Sequence, residues 1–186
     1  RQYLNLVGDG TRLHATFKEK IGTITLADGT QFTRMRYYVQ AFSGLDLVGE
    51  LPINVPGQLI RSWEKDGKTH LLTTDQRFNL VADPNGVSRY WVPDALLHLL
   101  KQNGPAQATL MDTRALDGLQ AGDIVGDSDK LFMTLRRSYW GYYGSYDSSG
   151  KAVEEPGDTL SVLDLRQGKL NQTFSAPVGT YYSQLM

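Results

Sequence analysis

The chain contains no cysteine, which excludes disulfide frameworks, thiol nucleophiles, Fe–S clusters and Cys-ligated zinc. Histidine is nearly as scarce. His14, His70 and His98 are the only imidazoles, and none stands in a recognised spacing with a nucleophilic serine or a second metal ligand. No Gly-x-Ser-x-Gly, His-Glu-x-x-His, P-loop or dinucleotide fingerprint occurs. No stretch approaches the roughly 18 apolar residues that a membrane span needs. There is no excess of one charge either: 19 Lys+Arg face 20 Asp+Glu, so neither nucleic acid nor an anionic membrane has an electrostatic footprint here. Protein and glycan remain as partners. What is present is an ordinary globular composition of 186 residues, 40% of them hydrophobic. A chain of that size buries roughly 70% of its unfolded surface and needs no metal or disulfide to hold a core.

The chain opens at Arg1 without an initiating Met, so Arg1 reads as a processing site or as the boundary of an expressed piece. Residues Thr180 to Met186 read as an extended strand with no polar tail, as if the chain stopped inside a larger design. Lack of cysteine is compatible with an oxidising space.

The dominant signal is short extended segments punctuated by Asp-Gly or Asn-Gly pairs, which supply the positive φ of tight hairpin turns. They stand at Asp9-Gly10, Asp28-Gly29, Asp66-Gly67, Asn85-Gly86, Asn103-Gly104 and Asp117-Gly118. Leu13, Ala15 and Phe17 alternate with His14, Thr16 and Lys18, the period of a half-buried strand. Hairpins are expected for Ile21 to Leu26 with Gln31 to Gln40, for Leu59 to Trp63 with Thr69 to Thr73, and for Arg77 to Ala82 with Val87 to Val92. Thr33, Met35, Tyr37 and Val39 share one face of their strand, with Arg34 and Arg36 on the other. Further strands are expected at Gln107 to Met111, Lys130 to Arg136, Leu160 to Leu165, Leu170 to Phe174 and Thr180 to Leu185. One segment breaks the rhythm. Pro93 to Asn103 carries proline and an acid in its first turn, Lys101 near its end and Gly104 just beyond, which predicts a short helix. Its leucines, Leu96, Leu97, Leu99 and Leu100, cover more than one side, so the helix should be clamped between the sheet and another element.

Two stretches share a strand–turn–strand pattern with a Pro/Gly exit: Tyr38 to Gly57, turning at Gly44, and Leu160 to Gly179, turning at Gly168. Their turn glycines are separated by close to three units of about 41 residues, a spacing that propeller blades use. Asp158-Thr-Leu-Ser-Val-Leu-Asp-Leu-Arg-Gln-Gly-Lys-Leu170 resembles the outer two strands of a blade in bacterial β-propellers of the quinoprotein-like and secreted WD-related kinds. The resemblance implies a fold and not a chemistry. Quinoprotein-like repeats place a Trp after the Gly-Lys pair, where this chain has Gln172 or Thr173, so no cofactor site is carried over.

The lone histidines have bland readings as surface or satisfied core residues. A Ser-His-Asp triad can assemble in three dimensions without any sequence order, and Glu154-Glu155 reads as a solvated pair. Asp123, Asp127 and Asp129 fall within seven residues around a glycine, which makes a Ca²⁺ loop a candidate beside the simpler reading of an Asp-rich turn. The strongest pointer to function is Arg136-Arg137-Ser-Tyr139-Trp140-Gly-Tyr142-Tyr143-Gly-Ser-Tyr146, in a long loop from Arg137 to Thr159. Five of the eight positions from Tyr139 to Tyr146 are aromatic, where the chain's 10% average would give one. Tyr and Trp over Gly and Ser hinges give amphipathic contact area at low rotamer cost. The alternative is that these rings pave the sheet.

The sequence thus predicts a mainly β fold over residues 1–186: an antiparallel meander of propeller-like blades with one short helix, or alternatively a sandwich or barrel. It reads as a single domain, alone or as part of a larger propeller. The expected function is a non-enzymatic binding or scaffolding module of a bacterial secreted or envelope protein, periplasmic or extracellular, that meets protein or glycan through Arg136, Arg137, Tyr139, Trp140, Tyr142, Tyr143 and Tyr146. A hydrolase acting on glycan or peptide, and a structural fragment of a larger propeller, are the alternatives.

Overall fold

The structure is a computed structural model that describes residues 1–9, 12–27, 29, 31–43, 48–82, 89–117, 119–137 and 158–178. Among the described residues thirteen strands follow one another: β1 Gln2–Gly8, β2 Arg12–Thr25, β3 Gln31–Ser43, β4 Val48–Gly49, β5 Ile53–Val55, β6 Gln58–Lys65, β7 Lys68–Ala82, β8 Arg89–Gly104, β9 Gln107–Ala115, β10 Leu119–Gly126, β11 Lys130–Arg137, β12 Thr159–Asp164 and β13 Asn171–Pro177. They form three sheets. Sheet A is β1-β2-β3-β4 with β5 also on β3, sheet B is β6-β7-β8-β9, and sheet C is β10-β11-β12-β13. The registers given within sheets A and C and for β6 with β7 are all antiparallel. The protein is mainly β, and among the described residues no sheet closes into a barrel, which goes against the barrel among the expected alternatives.

The turn chemistry holds at Asp66-Gly67 and fails at Asn103-Gly104, whose residues end β8 while the positive φ of the next turn falls on Ala106. Asp66 and Gly67 both take positive φ, 52° and 66°, the mirror-image turn whose twist matches that of the strands it joins. It closes β6 onto β7 with Lys65 opposite Lys68.

The predicted helix at Pro93 to Asn103 is overturned: those residues lie in β8, and no helix occurs among the described residues. β8 is an interior strand between β7 and β9. Ala95, Leu97, His98, Leu99 and Leu100 are all buried, so odd and even positions alike are enclosed. An interior strand covered on both faces shows a continuous apolar run that periodicity cannot tell from a buried helix, and tertiary burial overrides the helical preference of Leu and Ala. The same merging makes β7 one strand where two were expected. The strands β1 and β10 were not foreseen, and the second strand expected after Gly44 is two short ones, β4 and β5. A bulge between Tyr3 and Asn5 breaks the alternation of β1, and Gly122 and Asp123 disguise β10 as a turn.

By contact density the chain divides into two units, residues 1–75 with 98–113 and residues 76–97 with 114–186. The first has a core of Val39, Ile53, Val55, Leu59, Leu71 and Leu100, with Val7, Tyr37 and Ala108 packed against it. Burying each of these large aliphatic side chains stabilises the unit by roughly 1.5–3 kcal/mol. In the second unit Leu131, Met133 and Leu135 alternate inward from β11 and meet the buried Ser161 and Leu163 of β12. Leu165 and Leu170 close the buried set at the β12–β13 turn.

β2 corrects the face assignment. The alternation is present, but the enclosed positions include His14 and Thr16, at 1% and 0% exposure, while Leu13 is 37% exposed. Of the apolar set, Ala15 is buried, Phe17 half-buried and Leu13 exposed, so the polar positions His14 and Thr16 are the more deeply enclosed.

Candidate functional site

Residues 138–157, most of the segment that the sequence reads as a long loop, lie outside the described residues and connect two neighbouring strands of sheet C. Leu135 of β11 pairs with Thr159 of β12, so the chain departs at Arg137 and re-enters two residues before Leu160. Tyr139, Trp140, Tyr142, Tyr143 and Tyr146 lie outside the described residues, and Arg137 is described by its backbone alone. The root of the loop is described in full. Phe132, Thr134 and Arg136 share the face of β11 opposite the buried Leu131, Met133 and Leu135.

Arg136 spans both ends of the excursion. Its Nη2 donates to Asp123 Oδ2 at 3.3 Å, and its Nε lies 3.6 Å from Asp158 Oδ2. Asp158 stands immediately before β12 and is 3% exposed. A cation on the departing strand thus faces a buried carboxylate on the returning one. Asp123 reaches Arg136 because β10 bulges: the register of β10 on β11 slips between Ala121 and Ile124. The backbone N–H of Asp123 donates to Thr134 Oγ1 at 2.8 Å. The bulge needs Gly122, since a Cβ there would lie 2.4 Å from Thr134 Oγ1 and 2.9 Å from Arg136 Nε. The backbone N–H of Val178 donates to the Asp158 carbonyl at 2.9 Å, so the same corner also ties down the end of β13.

Below this clamp lies an apolar row that the sequence reading missed. Val125 pairs with Phe132, Phe132 with Val162, and Val162 with Phe174, one residue from each strand of sheet C. Phe132 is 39% and Phe174 53% exposed. The period of two on β11, which places Phe132 with Arg136, is the signal that could have found it; the partners across the sheet depend on register and could not be read.

The three candidate Ca²⁺ ligands are not brought together. Asp123 is paired with Arg136. Asp127 Oδ1 accepts the backbone N–H groups of Asp129 and Lys130 at 2.8 and 2.9 Å, and so closes the β10–β11 turn. Among the described residues no group of three or more His, Asp or Glu is placed to hold a metal ion.

A Ser, a His and an Asp do meet in the first unit. His14 Nδ1 lies 3.2 Å from Ser62 Oγ and 3.9 Å from Asp9 Oδ2. Both partners address the same nitrogen, whereas a nucleophile relay needs serine on one ring nitrogen and carboxylate on the other. All three side chains are also enclosed, so this trio is built for packing and not for attack on a substrate. Of the other histidines, His70 stacks on Trp63 at 5.8 Å, and His98 Nδ1 lies 3.0 Å from Thr113 Oγ1. An open hollow of about 430 Å³ at the β12–β13 turn is lined by Asp164, Arg166, Gln167, Asn171 and Thr173. Its two charged groups are bonded to each other.

No protein-family model, no curated protein and no solved structure matches the chain. No helix among the described residues is long and apolar enough to cross a membrane.

Proposed function

We propose that this chain is a non-enzymatic binding or scaffolding module of a bacterial secreted or envelope protein, and that it meets protein or glycan through the aromatic segment Tyr139 to Tyr146. The observation that carries this reading is the clamp at the loop's root. The segment of some twenty residues between β11 and β12, which the sequence reads as a long loop, begins and ends where Arg136 faces Asp158; that pair would give a contact surface rigid support, and long loops in compact domains are usually functional. The apolar row with exposed Phe132 and Phe174 extends the same face, with the charged pairs of Arg136 and of Arg166 with Asp164 beside it. An apolar centre with a polar rim is the anatomy of a protein contact.

A second reading is favoured by a different observation. All three sheets are built from strands consecutive in sequence, and sheets B and C are four-stranded meanders, the construction of propeller blades. The chain would then be part of a larger propeller, with the loop on one of its faces.

The test is to select peptides on the immobilised chain and to measure retention on chitin, cellulose and peptidoglycan, with Trp140→Ala and Tyr143→Ala as variants. The expected result is an unchanged melting temperature and a fall in affinity of about 30-fold for at least one selected ligand, as a hot-spot aromatic gives. A large drop in melting temperature would mean that the rings pave the sheet, and equal binding by wild type and variants would remove the loop from the contact.

A further inference from the structure

The enclosed trio of the first unit joins separate pieces of the fold. Asp9 follows β1, His14 lies on β2, and Ser62 lies on β6 of sheet B. Asp9 Oδ1 accepts the backbone N–H of Arg12 at 2.8 Å, which fixes the carboxylate beside the ring. Arg12 in turn lies 3.8 Å from Glu50 and donates to Thr69 Oγ1 of β7 at 3.3 Å. The charged groups that act on His14 are therefore Asp9, Arg12 and Glu50. Asn5 Nδ2 donates to the Leu59 carbonyl at 2.7 Å, a second tie between sheet A and β6 that contains no titrating group.

The Asp9 carboxylate beside Nδ1 assigns the proton of the neutral ring to that nitrogen, with the Ser62 hydroxyl oxygen accepting. Acid must then add its proton at Nε2, which is buried and meets no hydrogen-bond partner. A buried imidazolium is costly, and the Val7 backbone beside the ring offsets only part of that cost. We infer that the Asp9–His14–Ser62 bridge is an acid-sensitive latch: with His14 neutral it holds sheet A to β6, and protonation of the enclosed ring loosens that contact.

Burial pushes the His14 pKa below its ordinary 6.5; Asp9 pulls it back, Arg12 adds to the depression, and Glu50 and the Val7 carbonyl oppose it. For a histidine whose folded-state value is depressed, the unfolded chain binds more protons, so stability is full above 6.5 and declines as the pH falls below it. All three histidines lie in the first unit and none in the second, so the second unit serves as the internal control.

The test is a pH series on the whole chain with two readouts. Nitrogen-15 NMR of the histidine rings should show His14 neutral at pH 7, protonated at Nδ1, with a midpoint below 6.5. Hydrogen-exchange protection at 14–16 and 59–63, corrected for intrinsic rates, should fall about five- to tenfold between pH 7.5 and 5.5, the most that one histidine can supply, while protection at 131–135 and 160–163 falls less than about twofold. With His70, whose pKa burial also lowers and which stacks on Trp63, replaced by Gln throughout, His14→Gln should remove the pH dependence, and Asn5→Ala should lower protection equally at every pH. A midpoint at or above 6.5, equal loss in both units, or a pH dependence that survives His14→Gln would overturn the latch. The NMR readout does not require any variant to fold.

Discussion

Strands β2 and β11 both alternate in sequence, yet they solve burial in opposite ways. In β11 Leu131, Met133 and Leu135 are enclosed on one face, and the other face carries Phe132, Thr134 and Arg136, of which Thr134 is covered as well. In β2 the enclosed positions include His14 and Thr16, and Leu13 is turned out. One strand carries its polar groups on the face away from its leucines, Thr134 covered by the β10 bulge and Arg136 placed between Asp123 and Asp158. The other spends them inside, where His14 links sheet A to β6. A strand's period establishes that its two faces differ, and the neighbour that covers it decides which face is inside. The two units differ in the same sense: one holds every histidine of the chain, and the other holds the clamp of Arg136 and Asp158.

The sharpest way to break this comparison is to shorten a leucine on each strand. Leu131→Ala should cost roughly 2–5 kcal/mol in urea unfolding because the side chain is fully enclosed. Leu13→Ala, on the apolar but less enclosed face of β2, should cost less than about 1 kcal/mol. Equal losses would put Leu13 inside and reverse the account of β2. A smaller effect is expected at the clamp. Arg136→Met leaves the Asp158 carboxylate enclosed without its cation, and should cost roughly 1–3 kcal/mol. If the unfolding midpoint does not move, the pair plays no part in holding the loop. The smallest effect belongs to the exposed pair at the β12–β13 turn. Hydrogen bonds from the Arg166 side chain and backbone hold the Asp164 carboxyl at about 2, below its usual 3.8. Arg166→Ala should return it towards the usual value in a carboxyl NMR titration, with no measurable shift in the unfolding midpoint, since exposed ion pairs contribute little.

Much of the strand plan was legible. Turn pairs such as Asp66-Gly67 need positive φ and announce themselves, and the strands at Gln107, Lys130, Leu160 and Leu170 lie within a residue or so of their expected starts. The exceptions have physical causes. The Leu-rich run of β8 carries no periodicity because both its faces are covered, and Gly122 with Asp123 hides β10 because a bulge uses the residues of a turn. At the candidate site, Arg136 was visible as a cation beside an aromatic run. Its partners Asp123 and Asp158 were not, because ion pairs between strands follow from register and bulges.

The sequence by itself determined that this chain is built of antiparallel hairpins, where most of them turn, and that its aromatic residues concentrate between β11 and β12. Those properties are local: φ preferences, a period of two and composition act within a few residues. The tertiary structure alone decided that Pro93 to Asn103 is a strand, that His14 is inside and Leu13 outside, and that Arg136 meets Asp123 and Asp158. Each of those outcomes depends on which distant segment covers a side chain, and burial is a property of the pair of surfaces that meet, not of either sequence alone.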